Sequence, residues 1–298
     1  MAETTASYID VQRPRKRGRF NLLAAVQIAP LTAILVAFLV LPLGLMLVVS
    51  FWTYSGFTMA PGFVLDNYAA LWKPSTIGLY LNTFRLVAIT WAITLVIGFT
   101  LAYHLTFDVK RPSTVTFKFL VITIPFLTSA VVRNVAWVPV LGRNGIVNAV
   151  LLQLGLIHEP LSFLLYSQTA VIIAYVHGMT GIMMAPIFNT MVRIDKSLIE
   201  AARDSGATGW QVLRHVVIPL TLPGIAIGSI FVLTLVAGDV ATVRLLGGGQ
   251  IGTVAIAIGN QSALVQFPIA CANAMVILGV VLACVALITR VVDIRRQL

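Results

Sequence analysis

The sequence predicts an all-α polytopic membrane protein with six transmembrane helices. Three observations carry that expectation. Of 298 residues, 59% are apolar and 10% charged, against about 45–50% and 25% in ordinary soluble domains. Six apolar stretches reach the roughly 20 residues that a membrane-crossing helix requires. The Lys and Arg residues fall overwhelmingly into alternate connecting segments, as they do in multi-pass proteins. Length alone would suggest two soluble domains of about 150 residues, but thirty charged side chains cannot coat two such domains.

The spans are expected over residues 27–52, 79–106, 115–140, 168–192, 220–243 and 267–292. The first follows the basic cluster Arg13, Arg15, Lys16, Arg17 and Arg19, which superficially matches the charged start of a secretory signal. Its apolar run continues through Pro42 to Trp52, well beyond the about 7–15 residues of a signal core, so it is expected to remain as an anchored span. Residues 1–26 then form a basic tail and residues 27–298 one six-helix domain.

Sorted by connecting segment, fifteen basic residues share one side. They are the five of the N-terminal cluster, then Lys110, Arg111 and Lys118, then Arg193, Lys196, Arg203 and Arg214, and finally Arg290, Arg295 and Arg296. The other side holds three, Lys73, Arg143 and Arg244, while Arg85 and Arg133 fall inside spans. Basic residues in short loops mark the cytoplasmic side, so both termini are expected there. The net charge of +10 is then a topology signal and a means of contacting membrane lipid. It gives no support to nucleic-acid binding, which wants a basic face interleaved with aromatics. Cys271 and Cys284 lie 13 positions apart in one apolar stretch. On a straight helix they would be roughly 20 Å apart, too far to pair, and are expected to be buried small hydrophobes.

Segment 193–219 reads as structured. Asp195 or Ser197 can cap a short helix through Glu200, Ala201, Ala202 and Arg203, with Gly206 where a left-handed residue ends it. Thr208 followed by Gln211 has the pattern of a capping box. Trp210, Val212, Leu213 and Val216 would give the second helix its apolar contacts, and Pro219 would restart the chain into the membrane. An amphipathic segment lying on the inner leaflet and anchored by Trp210 fits the same residues.

The series Glu200-Ala201-Ala202, then Gly206, then Val216, Ile218 and Pro219 resembles the EAA motif of permease subunits in binding-protein-dependent ABC importers. Val216 and Ile218 replace the usual Ile and Leu. The resemblance implies the type I ABC importer permease fold and a place in the bacterial cytoplasmic (inner) membrane. It also implies that the segment is a coupling helix docked in a groove of a separate ATPase. Ala201 and Ala202 would allow close approach, Gly206 the bend, and Glu200 charge and hydrogen bonds. Trp210, Ile218 and Pro219 would complete the coupling segment.

Resemblance extends from about Asn82 to the C-terminus. The stretches Arg133-Asn-Val-Ala-Trp137, Leu141-Gly-Arg-Asn-Gly-Ile-Val-Asn148 and Leu154-Gly-Leu156 are similar to the spermidine/putrescine-type permeases, and within that branch to the longer of two paired subunits. Gly238-Asp239 followed by Leu245-Leu246-Gly247-Gly248 is a second match, with Asp where the branch more often has Glu. Permeases for aminophosphonates, 4-aminobutyrate-like compounds and ferric ions share much of this pattern.

The topology assigns each polar residue a depth. Arg85 is placed about six residues below the outer end of its span, Arg133 about seven and Asp239 about four, so all three share one outer layer. A charge in a span costs about 2.5–3.5 kcal/mol even on the lenient insertion scale, which makes these three the candidates for the translocation path and gate. Asp239 is expected to face the interior near the outer gate; a structural ion pair with Arg85 or Arg133 is the favoured account of its charge, and contact with a cationic or zwitterionic solute is the functional alternative. His177, Asn134, Asn189 and Asn273 are expected to hydrogen-bond between helices.

The chain contains no Gly-x-x-x-x-Gly-Lys-Ser/Thr with which to cradle ATP phosphates, so the energy must come from partners. By the resemblance these are an ABC ATPase dimer that binds ATP and Mg, a second, paralogous six-helix permease subunit that closes the path, and an extracytoplasmic substrate-binding protein. No catalytic residue, cofactor or metal site is expected in this chain. Closure of the ATPases would move residues 200–219, and rigid helices would carry the motion to the outer gate. An intramembrane enzyme is disfavoured: there is no His-Glu-x-x-His, no Gly-x-Ser-x-Gly and a single Asp in a span. The rival from another class is an ion-coupled secondary carrier, although neither inverted repeats nor several intramembrane ionisable groups are evident. The same scarcity of acids argues against a polyamine cargo.

Overall fold

The computed structural model describes residues 22–56 and 58–292; the basic cluster at 13–19, Arg295 and Arg296 lie outside them. Among the described residues, six helices are long and apolar enough to cross a membrane. They are Gln27–Val49, Pro74–Asp108, Ala130–Gln153, Gln168–Met191, Gly209–Gly238 and Phe267–Val291, with a shorter apolar helix over Pro112–Leu127. The first helix falls in a compact unit that ends at Val48; the rest of the chain forms a second unit. Within the first helix, Leu41 N donates to Val36 O across a π-turn, Val36–Val40. The widened turn precedes Pro42, whose ring would crowd the carbonyl four residues back in an α-helix.

The second unit is built on three mutually packed helices, Pro74–Tyr103, Gln168–Met191 and Ile218–Gly238. Lipid tails are as apolar as these side chains, so association in a membrane depends on close fit and hydrogen bonds rather than on the hydrophobic effect. Close fit comes from glycine. A Cβ at Gly224 would lie 2.5 Å from Pro186 O, and one at Gly228 would lie 2.9 Å from Met183 O, so these two backbones touch. Met183, Met184 and Ile187 are fully buried at the seam. Hydrogen bonding comes from Trp91 Nε1, which donates to Ser229 Oγ at 2.8 Å.

The connections opposite segment 193–219 are short and clasped. A hairpin pairs Thr53–Ser55 with Thr58–Ala60. Asn67 Nδ2 donates to Ser50 O and Trp52 O, both at 2.9 Å, and pins the turn that follows. In the stretch 141–148, Asn148 Nδ2 donates to Gly142 O and Leu161 O while its Oδ1 accepts from Leu161 N at 2.9 Å. That Asn is the clasp of its loop.

Five expectations need correction. The third span, expected as one helix over 115–140, is two helices, Pro112–Leu127 and Ala130–Leu141, parted by extended Thr128 and Ser129. Carbonyls opened at such a break need donors, and Arg133 Nη1 supplies them, bonding Pro125 O and, at 3.5 Å, Thr128 O. The fifth span, expected over 220–243, runs instead from Gly209 to Gly238. Pro219 does not restart the chain, because a π-turn over Leu213–Val217, closed by Ile218 N to Leu213 O, relieves the clash and lets the helix continue. Asp239 has extended backbone (φ −79°, ψ 123°) and sits just beyond that helix, not four residues within it. Finally, both cysteines are free, but Cys271 is only partly buried and Cys284 is exposed, because its helix face lies on the surface of this chain.

Candidate coupling segment and polar cavity

The coupling residues form two helices about a glycine elbow. Asp195 Oδ1 accepts from Ser197 N at 3.0 Å and starts the helix Lys196–Asp204. Those contacts hold the Asp195 carboxyl below the usual carboxylate range. The helix ends in a Schellman pair: Gly206 N donates to Arg203 O at 2.9 Å and Ala207 N to Ala202 O at 3.0 Å. Gly206 takes φ +84°, a left-handed conformation that a Cβ penalises. The spacing from Ala202 to Gly206 is therefore the spacing of the motif itself, with the first acceptor and the left-handed residue four positions apart.

Thr208 begins the next helix. Thr208 N donates to Gln211 Oε1 at 2.7 Å and Gln211 N to Thr208 Oγ1 at 3.4 Å, a complete capping box. Ala202 and Ala207 pack against the core, whereas Glu200 and Ala201 are exposed and Trp210 is 66% exposed. A cavity of about 340 Å³ opens in the elbow, lined by Ala202, Gly206, Ala207, Gln211, His215 and Val216. Ile218 and Pro219 lie inside the long helix that leaves the elbow.

At the far end of that helix is a second cavity of about 350 Å³, lined by Ala130, Arg133, Tyr175, Met179, Asp239 and Thr242 among others. Asp239 caps the next helix, Ala241–Gly247. Its Oδ1 accepts from Ala241 N at 2.8 Å and Thr242 N at 3.3 Å, and its Oδ2 from the Thr242 hydroxyl. Asn134 Nδ2 donates to Thr242 Oγ1 at 2.9 Å and ties the third helix into the same group. Tyr175 shares the cavity wall with Asp239, and its buried hydroxyl meets no partner at hydrogen-bonding distance and angle.

Of the three gate candidates, Arg133 and Asp239 come together in this cavity, and Arg85 does not; it is exposed on the second helix. Among the described residues the only charge pair within 4.0 Å is His104–Asp108, so Asp239 is held by backbone and hydroxyl donors rather than by either arginine. Asn134 bridges helices as expected, and so does Asn273, which accepts from Tyr80 at 3.2 Å and donates to Gln261 at 3.1 Å. His177 instead meets the Trp137 ring edge-on, and Asn189 is exposed. Tyr175 and Thr242 escaped the sequence reading. Thr242 had an indirect signal, since Asp239 is a preferred helix-capping residue and the N–H groups it caps lie two and three positions on; Tyr175 had none.

These features define a class, a multi-pass helical membrane protein in which one long helix joins a structured elbow at its start to a cavity holding Arg133 and Asp239 at its end. The chain belongs to the family of binding-protein-dependent transport system inner membrane components, whose model matches residues 18–296. The spermidine/putrescine transport system permease protein PotB of Haemophilus influenzae is 31% identical over 229 residues, 76% of this chain and 79% of that protein. PotB of Escherichia coli K12 is 34% identical over 188 residues, 62% and 66% of the two chains. A chain in the crystal structure of a bacterial ABC transporter involved in the import of the acidic polysaccharide alginate superposes with a TM-score of 0.71 at 19% identity, over 91% of this chain and 95% of that one, and so shares the fold. The chain is thus a permease subunit of a binding-protein-dependent ABC importer, a multi-pass protein of the bacterial inner membrane, from a family of transporter permeases rather than enzymes.

Proposed function

We propose that this chain forms half of the translocation path of an ATP-driven importer for a small amine-bearing solute such as spermidine or putrescine, with both termini in the cytoplasm. A separate ATPase dimer drives it through segment 193–219, a second permease subunit closes the path, and a substrate-binding protein delivers cargo to the opposite face. The observation that carries this reading is mechanical: the elbow that resembles a coupling motif is continuous, from Gly209 to Gly238, with the helix that ends at the Asp239 cavity. The asymmetry of basic residues supports the orientation, and the PotB relatives support the cargo.

Arg133 on the wall that holds Asp239 favours a second cargo reading, a zwitterion of the 4-aminobutyrate or aminophosphonate kind. One experiment separates these readings from each other and from a secondary carrier. The complete importer in proteoliposomes should take up labelled spermidine or putrescine only with ATP inside, and this chain alone should take up nothing. Uptake of a zwitterion in place of the polyamines would favour the second reading; ATP-independent uptake by the chain alone would defeat both.

A further inference from the structure

The cavity beside Asp239 contains a polar residue that the helix cap does not use. Tyr175 is 2% exposed and lies on the cavity wall. Its oxygen is covered in this conformation and meets no partner at bonding geometry. A phenol carries two acceptor lone pairs and one proton, and a carboxylate offers about four acceptor sites. Three sites of Asp239 are taken, by Ala241 N, Thr242 N and the Thr242 hydroxyl. Unused acceptor capacity from two residues thus converges on one small space.

We propose that Tyr175 is a solute-contacting residue, whose hydroxyl joins the Asp239 carboxylate in taking one primary ammonium group as the cavity widens around its cargo. The inference rests on the reading of this chain as an amine importer. An ammonium fits both acceptors because it presents only donors, three of them. Arg133 on the same wall opposes a second positive charge beside the first, so the site takes charged ends one at a time. A quaternary ammonium, having no N–H, does not satisfy the pair.

The test uses the complete importer in proteoliposomes, with labelled putrescine supplied below saturation and uptake expressed per assembled complex. Tyr175→Phe keeps the ring and its packing and removes only the oxygen. It should lower putrescine uptake at least tenfold, as loss of a hydrogen bond to a charged group does; uptake within twofold of the parent overturns the proposal. Should the variant fail to assemble, the unmodified importer supplies the measurement, with putrescine and its bis-trimethylammonium analogue compared at equal occupancy of the binding protein. Uptake of the analogue at one tenth of putrescine or less supports the contact, and equal uptake overturns it. An unmodified importer that moves no amine at all overturns the amine-importer reading together with this contact, whereas an unchanged Tyr175→Phe variant removes the contact alone.

Discussion

Thr208 and Asp239 stand at the two ends of one uninterrupted helical rod. Thr208 closes its start with a capping box, Gly238 is its last residue, and Asp239 turns the chain into the next helix. At 1.5 Å per residue the rod is about 45 Å long. The π-turn at Leu213–Val217 carries it past Pro219, so the rod has no break between the elbow and the polar cavity. Such a rod is what the proposed coupling between elbow and cavity requires.

Glu200 is exposed on the helix Lys196–Asp204. Glu200→Lys should leave thermal unfolding within about 0.5 kcal/mol of the parent. Uptake and co-purification of the ATPase should each fall about tenfold or more. Calorimetry and affinity pull-down from the same membranes check both halves of this statement.

Gly206 occupies a left-handed position with open space around its Cα. The penalty for Gly206→Val is thus conformational, about 1–2 kcal/mol, and Gly206→Asn should cost less because Asn tolerates that region. Limited proteolysis across residues 204–208 should rank the variants Val, Asn, Gly from most to least susceptible.

Much of this was legible in the sequence, for identifiable reasons. Hydrophobic run length marks spans because a bilayer has one thickness, and the elbow was readable because Asp195, Gly206 and the Thr208–Gln211 pair act within a few residues of themselves. What failed depended on neighbours. The break at Thr128–Ser129 is stabilised by Arg133, a side chain that reads as an isolated charge until its backbone acceptors are seen. The passage through Pro219 depends on a change of helical register that composition does not encode. The cavity brings Tyr175 of the fourth helix to Asp239 beyond the fifth, a juxtaposition no local pattern announces.

The seam between the fourth and fifth helices admits no side chain at Gly224, where a Cβ would fall 2.3 Å from Thr190 Oγ1. Gly224→Leu should destabilise the chain by about 1–3 kcal/mol or more through overpacking. Gly279→Leu, at a site with nothing within 4 Å of the added carbon, should be nearly neutral. Melting curves in one detergent check the contrast.

Asp239→Asn retains an oxygen that can accept from Ala241 N and Thr242 N, so the helix cap survives while the charge is lost. Amine uptake per assembled complex should fall about tenfold. Asp239→Ala loses the cap as well, at an additional about 0.5–2 kcal/mol of stability. Unchanged uptake by the Asn variant would leave Asp239 as a cap and nothing more.

Asp195 carries the pH dependence of the elbow. Ser197 lowers its carboxyl below the ordinary range, so the stabilisation of helix Lys196–Asp204 is fully present above about pH 4 and is lost as pH falls through the lowered value. Amide hydrogen exchange in that helix, followed downward from pH 5, should show protection disappearing in the parent, whereas Asp195→Asn should show no such transition.

The rod is tested most directly by spin labels at positions 210 and 238, with Cys271 and Cys284 replaced, in the complete importer. Electron–electron resonance should give the same narrow distance, about 42 Å along the axis, in nucleotide-free and ATP-trapped states. A shift or broadening of more than about 5 Å between the states would contradict the account, because the helix would then bend or unwind instead of carrying displacement from elbow to cavity.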